Sequence, residues 1–254
     1  MLDFLNTSPG PHNGQPVRVA GELPQHARAA MLMVHGRGAS AQDILSLAGQ
    51  LDQPGFVYFA PQASGDTWYP NRFLVPLDQN EPWLSSALAF VGEVLGYIGA
   101  AGIPPERTML LGFSQGACLT LEFAARHARR YAGLVGLSGA LIGPDGTPRD
   151  YPGSLSATPV FLGCSETDLH VPKERVLQTA EVLEQLGGKV STRLYPNLGH
   201  TVNQDELDFV RAMMQPLIAR GLSPVGSFIS AETARILSYG NTKLRPEYLP
   251  ARHA

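Results

Sequence analysis

Met109-Leu110-Leu111-Gly112-Phe113-Ser114-Gln115-Gly116-Ala117 is an apolar, strand-like run that hands over to a helix-like one, with a serine at the junction. Glycines stand two before and two after that serine, which is the pattern of a nucleophile elbow. The requirement is steric. A strand that turns abruptly into a helix strains the backbone of its corner residue, and a Cβ at either flanking glycine would collide with the neighbouring strand or helix. The serine Oγ is left projecting beside a helix N-terminus, whose free N–H groups and dipole favour developing negative charge. In a chain with 27 glycines, five residues decide little alone, so the surrounding pattern has to carry the reading.

Working outward from the serine, short apolar runs alternate with amphipathic stretches. The pattern predicts strands over 29–35, 56–60, 108–113, 132–138, 159–163 and 190–195, and helices over 41–50, 83–101, 114–127, 173–186 and 205–219. This is an α/β fold with a mostly parallel central sheet covered by helices on both faces. The unbroken runs Met31-Leu32-Met33-Val34 and Leu134-Val135-Gly136-Leu137 suit strands buried on both sides. A segment over 15–20 adds an antiparallel edge. Two aperiodic stretches, 65–82 with Trp68, Tyr69 and Phe73, and 139–159 rich in Gly, Pro and Ser, read as loops. Residues 1–220 form one domain. From Gly221 the pattern changes to a short helix over 228–239 and an extended end, so residues 221–254 form an extension that packs on the domain or on a second subunit in a homodimer.

Composition bounds the function. The chain has 254 residues, 44% hydrophobic and 16% charged, with a net charge of −3 and no basic stripe, which excludes an electrostatic case for nucleic acid. The first ten residues lack a secretory signal, and no stretch of about 18 uninterrupted apolar residues occurs, so the expectation is a cytoplasmic protein without stable membrane insertion. Cys118 and Cys164 read as buried apolar groups in a reducing compartment rather than as a disulfide.

A serine hydroxyl is a weak nucleophile at neutral pH unless a base takes its proton and a third group orients that base. Folds with such a serine corner carry the acid and then the base later in the chain, each on a loop after a strand. Asp168 follows the 159–163 strand and His200 the 190–195 strand, in that order. Glu166 is the alternative acid. His170 is the alternative base, but it shares the Asp168 loop and reads better as a pocket neighbour. His12, His26 and His253 lie in terminal or polar segments, and His127 sits near a helix C-terminus, where a cation is favoured. Acyl transfer also needs donors for the oxyanion. The backbone N–H of Gln115 supplies one; the other is assigned to the Arg37 backbone N–H, in His35-Gly36-Arg37-Gly38 after the first core strand, with the arginine side chain pointing outward.

Val34-His35-Gly36-Arg37-Gly38, Gly112-Phe113-Ser114-Gln115-Gly116-Ala117, Asp168-Leu169-His170-Val171-Pro172 and Gly199-His200 together resemble the phospholipase/carboxylesterase family of small bacterial α/β-hydrolases, related to acyl-protein thioesterases. The similarity spans about residues 28–219. The resemblance implies an α/β-hydrolase fold and a cofactor-independent, metal-free serine esterase acting on a small-molecule ester. A thioesterase or lysophospholipase-like activity on the same residues, or a non-catalytic binding protein on this fold, are the alternatives. It also implies that Trp68-Tyr69-Pro70 lies near the acyl pocket, which Trp68, Tyr69, Phe73 and His170 would line. Ala39-Ser40 stand where thioesterase relatives usually carry an acidic residue.

Overall fold

A computed structural model describes residues 4–51 and 53–219. The elements in chain order are β1 (Phe4–Leu5), β2 (Pro16–Gly21), β3 (Ala29–Val34), α1 (Ala41–Leu51), β4 (Phe56–Pro61), α2 (Trp83–Ala100), β5 (Thr108–Phe113), α3 (Gln115–Arg126), β6 (Gly133–Leu137), β7 (Pro159–Ser165), α4 (Lys173–Gln185), β8 (Lys189–Tyr195) and α5 (Gln204–Ile218). They build one eight-stranded sheet in the order β1-β2-β4-β3-β5-β6-β7-β8. β1 and β2 are antiparallel, and the other strands run parallel. The arrangement is the predicted doubly covered α/β sheet, with every strand and helix anticipated within the described residues present to within two residues at each end. The two-residue β1 was not anticipated, because a segment that short has no period to read. The short helix expected over 228–239 and the extension from 221 lie outside the described residues.

Alternation along the strands separates two cores. Ala30, Leu32 and Val34 of β3 face one side, with α2, α3 and α4. Ala29, Met31 and Met33 face the other, with α1 and α5. Side chains of a strand point alternately to opposite faces, so a run that is apolar at every position must be covered twice. β8, at the edge, shows the complementary pattern of alternating exposed and half-buried residues. α2 is 18 residues long with a mean hydropathy of 1.3, long and apolar enough by composition to cross a membrane, but half of it is buried within the protein. Its Glu93 accepts hydrogen bonds from the backbone N–H groups of Thr7 (2.9 Å) and Ser8 (2.8 Å), which ties the N-terminal segment to this helix.

The corner between β5 and α3 is as tight as the glycine spacing requires. A Cβ on Gly112 would lie 2.4 Å from the Gly116 carbonyl oxygen, and one on Gly116 would lie 2.2 Å from that of Val34. Ser114 between them has φ 55° and ψ −120°. Its N–H donates to Leu137 O (2.9 Å), and its carbonyl accepts the first helical bond, from Cys118 N–H (3.0 Å).

The segment after β4 is held by side chains rather than by regular structure. His12 was expected in a polar terminal stretch; it is instead fully buried, because its ring satisfies two backbone groups of this segment. Ser64 N–H donates to His12 Nδ1 (3.1 Å), and His12 Nε2–H donates to Trp68 O (3.0 Å). His35, also buried, accepts Ala63 N–H at Nε2 (3.1 Å) and donates from Nδ1 to Gly36 O (2.8 Å). One nitrogen of each ring must therefore be unprotonated.

Three predictions concern these constraints. Gly116→Ala should lower stability by about 1–3 kcal/mol, read from the urea midpoint. Gly49→Ala, in α1 with no atom within 4 Å of the added carbon, should instead raise it by about 0.5–1 kcal/mol. Burial holds the pKa of both His12 and His35 below the ordinary imidazole value, against the opposing pull of their backbone hydrogen bonds. The unfolded chain thus binds more protons than the folded one once pH falls below about 6.5, so their contribution to stability is present above that pH and is lost on acidification. The urea midpoint of the wild type should therefore drop between pH 7.5 and pH 5 more steeply than that of His12→Gln. Equal slopes would show that the buried rings do not govern the acid limb.

Candidate active site

Three carboxyl ends of parallel strands converge at the Ser114 corner. The loop after β7 brings Asp168, and the loop after β8 brings His200. His200 Nε2 lies 2.8 Å from Ser114 Oγ, and His200 Nδ1 lies 2.7 Å from Asp168 Oδ2. With Nδ1–H donating to the carboxylate, Nε2 is left as the acceptor for the serine O–H. Asp168 Oδ1 accepts two further bonds, from the backbone N–H groups of His170 (2.8 Å) and Val171 (3.0 Å). Its side chain is 0% exposed, whereas that of His200 is 21% exposed. Burial alone would raise the Asp168 carboxyl. The bond from His200, the two backbone donors and the nearby imidazole outweigh it and hold the group below the usual carboxylate range. Glu166, the alternative acid, is exposed, and the structure does not bring it to His200. His170 packs its ring 4.6 Å from that of His200 but makes no bond to Ser114.

The donors expected for an oxyanion flank the same corner. Gln115 opens α3, so its backbone N–H has no intrahelical acceptor. The 35–38 loop presses on the serine: a Cβ on Gly36 would stand 3.3 Å from Ser114 Cβ, which puts the Arg37 backbone beside it. The Arg37 side chain does not point outward as a free charge. Its guanidinium donates to the carbonyls of Tyr69 (2.9 Å), Pro70 (2.8 Å) and Asn71 (2.6 Å), because that irregular stretch leaves its carbonyls without ladder partners. The Gln115 side chain does related work: Oε1 accepts Trp68 N–H (2.9 Å) and Nε2 donates to Tyr69 O (2.8 Å). Neither role was legible in the sequence, where the Arg37 side chain reads as an outward charge and Gln115 has a reading for its backbone alone.

A cavity of about 520 Å³ adjoins Ser114 and His200, walled by Tyr69, Phe73, His170 and Val171, with Arg72 at its margin and Cys118 at its base. Trp68 is a correction. It is fully buried and does not line this cavity, because its indole N–H donates to His35 O (2.9 Å) and its ring packs among His12, His35 and Phe90. The Tyr69 hydroxyl is buried without a hydrogen-bond partner. Both thiols near the site are free: burial pushes Cys118 up to about 11, and burial with the neighbouring Asp168 charge pushes Cys164 up to about 12, so neither carries a thiolate at neutral pH. Among the described residues no group of three or more His, Cys, Asp or Glu side chains is arranged to hold a metal.

One buried carboxyl, at the start of the helix that follows His200, had no reading in the sequence. Glu206, in the first turn of α5, forms a reciprocal cap with Asn203. Glu206 Oε2 accepts Asn203 N–H (2.9 Å), and Asn203 Oδ1 accepts Glu206 N–H (2.9 Å). Its other oxygen is buried without a partner, and burial pushes the group up to about 7. The spacing Asn203-Gln204-Asp205-Glu206 was a readable cap signature three residues beyond His200.

Residues 18–218 match the family model for Phospholipase/Carboxylesterase. Acyl-protein thioesterase 1 of Gibberella zeae is 37% identical over 118 residues, covering 45% of this chain and 50% of that protein. A probable carboxylesterase SOBER1-like of Arabidopsis thaliana is 26% identical over 137 residues, covering 54% and 52%. The chain thus matches about half the length of these curated relatives. Among solved structures, a phospholipase/carboxylesterase from Dyadobacter fermentans is 42% identical with a TM-score of 0.76, covering 78% of this chain and 96% of that one. SOBER1 of Arabidopsis thaliana superposes with a TM-score of 0.65 at 21% identity, covering 76% and 100%, which is a likeness of fold. A family match that runs from β2 to the end of α5 settles the relationship: the chain belongs to the phospholipase/carboxylesterase family of α/β-hydrolases.

Proposed function

We propose that the chain is a cytoplasmic, cofactor-independent serine hydrolase that cleaves carboxylic esters of small molecules. The observation that carries this is the continuous relay from Asp168 Oδ2 through His200 to Ser114 Oγ, with links of 2.7 and 2.8 Å. His200 Nε2 takes the hydroxyl proton as Ser114 Oγ attacks the ester carbonyl. The tetrahedral oxyanion accepts hydrogen bonds from the backbone N–H groups of Gln115 and Arg37. His200 then returns the proton to the departing alcohol, leaving an acyl group on Ser114. Water, deprotonated by the same nitrogen, releases the acid. Asp168 stays ionised throughout and holds the imidazole in the tautomer that leaves Nε2 free. Tyr69, Phe73 and His170 form the wall of the acyl cavity.

A thioester substrate is the second reading, favoured by the relative named acyl-protein thioesterase. The same residues serve both reactions, and the two differ in the leaving group. Matched oxygen and sulfur esters of one acid, assayed in parallel, separate them by the ratio of their kcat/KM values.

Ser114→Ala should leave the protein folded and reduce turnover of a p-nitrophenyl ester by about 10³-fold or more. Unchanged turnover would exclude the proposal, whereas a wild type with no turnover of any ester would favour a binding protein on a hydrolase fold. His200→Ala should produce a comparable loss, while His170→Ala should cost less than about tenfold, so the reverse ranking would identify His170 as the base. Asp168→Asn should lower kcat by roughly 10³ to 10⁴-fold, because the amide presents a donor to Nδ1 and favours the wrong tautomer.

A further inference from the structure

The cavity that Ser114 and His200 line carries positive charge with nothing to balance it. Arg37 and Arg72 both line it, and among the described residues no Asp or Glu does. Asp168, the acid of the relay, has a side chain 0% exposed and is not part of the lining. Among the described residues neither arginine pairs with a carboxylate. The two differ in what their donors do. The Arg37 guanidinium is committed to the carbonyls of Tyr69, Pro70 and Asn71. Arg72 makes one bond, from Nη2–H to His170 O at 3.4 Å, which is long for a hydrogen bond. A guanidinium presents five N–H donors in a planar fork, so most of the fork of Arg72 is open.

The backbone that carries this side chain is fixed on both sides. Asn80, fully buried, accepts Asn71 N–H at Oδ1 (2.9 Å) and donates from Nδ2 to Arg72 O (3.3 Å). Phe73 O accepts Gly143 N–H (2.7 Å), and the buried Phe73 ring lies 5.7 Å from the guanidinium carbon of Arg175. Buried groups therefore determine where residue 72 stands, while its charge is left exposed at the cavity. The His170 carbonyl that Arg72 touches belongs to the residue whose ring packs 4.6 Å from that of His200. Arg72 is thus one residue removed from the base, on the hollow that reaches Ser114.

On the reading that Ser114 is acylated and that this hollow holds the acyl half, we propose that the substrates are half-esters of dicarboxylic acids, bound by Arg72 through their free carboxylate. The ester carbonyl lies at Ser114, and the planar carboxylate at the other end of the acyl chain meets the planar fork of the guanidinium. Tyr69, Phe73 and Val171 cover the methylenes between them. One open fork matches one carboxylate, because the donors of Arg37 are already engaged while its charge still adds to the attraction. The half-ester and water yield the dicarboxylate, the alcohol and one proton. A cationic acyl chain meets two like charges and no carboxylate, so the same arrangement rejects it.

The test uses the full chain and the monoethyl esters of succinic, glutaric and adipic acids. Each is compared with the ethyl ester in which a primary amide replaces the free carboxylate, a change that keeps the size and removes the charge. For the wild type, kcat/KM for the carboxylate should exceed that for the amide by about five- to tenfold at one chain length or more. Arg72→Gln should lower this ratio by the same factor, and Arg72→Lys should keep part of it, since the charge stays while the fork is lost. The preference should also shrink as salt is raised from about 0.05 to about 0.5 M. Arg72 is exposed and makes one long bond, so its replacement leaves the fold in place. A wild-type ratio near one at every length, or a ratio unmoved by Arg72→Gln, would overturn the proposal. So would a dependence on Arg72 confined to acetate esters of hydroxy acids, in which the carboxylate leaves with the alcohol. Half-esters cleaved undiminished by Ser114→Ala would overturn the serine-hydrolase reading instead. Calorimetric binding of glutarate then decides on Arg72 without turnover: binding several-fold weaker in Arg72→Gln upholds the carboxylate site, and equal binding overturns it.

Discussion

The backbone of the β5–α3 corner approaches its neighbours so closely that only hydrogen fits at two positions, and the rest of the site is organised around that contact. Gly116 lets α3 rest its first turn on the end of β3, and Gly112 lets the strand pass beneath it. With both glycines in place, Ser114 takes a positive φ that a serine seldom adopts, and the bond from its N–H to Leu137 O fixes the corner to β6. Strain at a single residue persists only where the surroundings over-determine it. Here β3, β6 and α3 do so from three directions, and the result is an oxygen aimed at the loop after β8 and a helix N-terminus aimed at the space beside it.

A second constraint is that the wall of the cavity next to Ser114 has no ladder to hold it. Residues 63–71 run irregularly, and polar groups from three distant parts of the chain satisfy their backbone: His12 between β1 and β2, His35 and Arg37 after β3, and Gln115 at the head of α3. Arg37 and Gln115 flank Ser114 with their backbones and grip this loop with their side chains. The cavity wall at 68–71 and the backbone beside Ser114 therefore cannot shift independently, and a change at either residue reaches both.

These two constraints explain what could be read from the sequence. The strands were legible because β3, β5 and β6 are almost wholly apolar and covered on both faces, and α1, α4 and α5 because their buried residues recur on one side; α3 is buried at all but its last position. The corner was legible because sterics restricts it to glycine. The loops were not, since nothing periodic dictates where Trp68 points. A tryptophan in a Gly- and Pro-rich stretch suggests a pocket wall, yet its indole N–H found the buried carbonyl of His35 and the ring followed it into the core. His12 was misread for the related reason that its value lies in two backbone groups more than fifty residues away, which no local pattern announces. The order Ser114, Asp168, His200 was readable because each follows a strand. The choice between Asp168 and Glu166 was finer, and it turns on the two backbone N–H groups that only the former collects.

The relay also runs along a gradient of solvent exposure, and its direction matters. The Asp168 side chain is wholly covered, that of His200 is about one-fifth exposed, and Ser114 lines the cavity walled by Tyr69 and Phe73. A buried carboxylate is tolerable only if hydrogen bonds replace the water it has lost, and Asp168 keeps three N–H donors and the Cys164 thiol for that purpose. Moving the charge outward would cost less, but it would let water compete for His200 Nδ1 and leave the ring free to turn over. The Asn203–Glu206 cap closes the remaining freedom, because it starts α5 three residues beyond His200 and so anchors the far end of the loop. The imidazole is thus held from below by a charge and from behind by a helix start, and its only open nitrogen faces the serine.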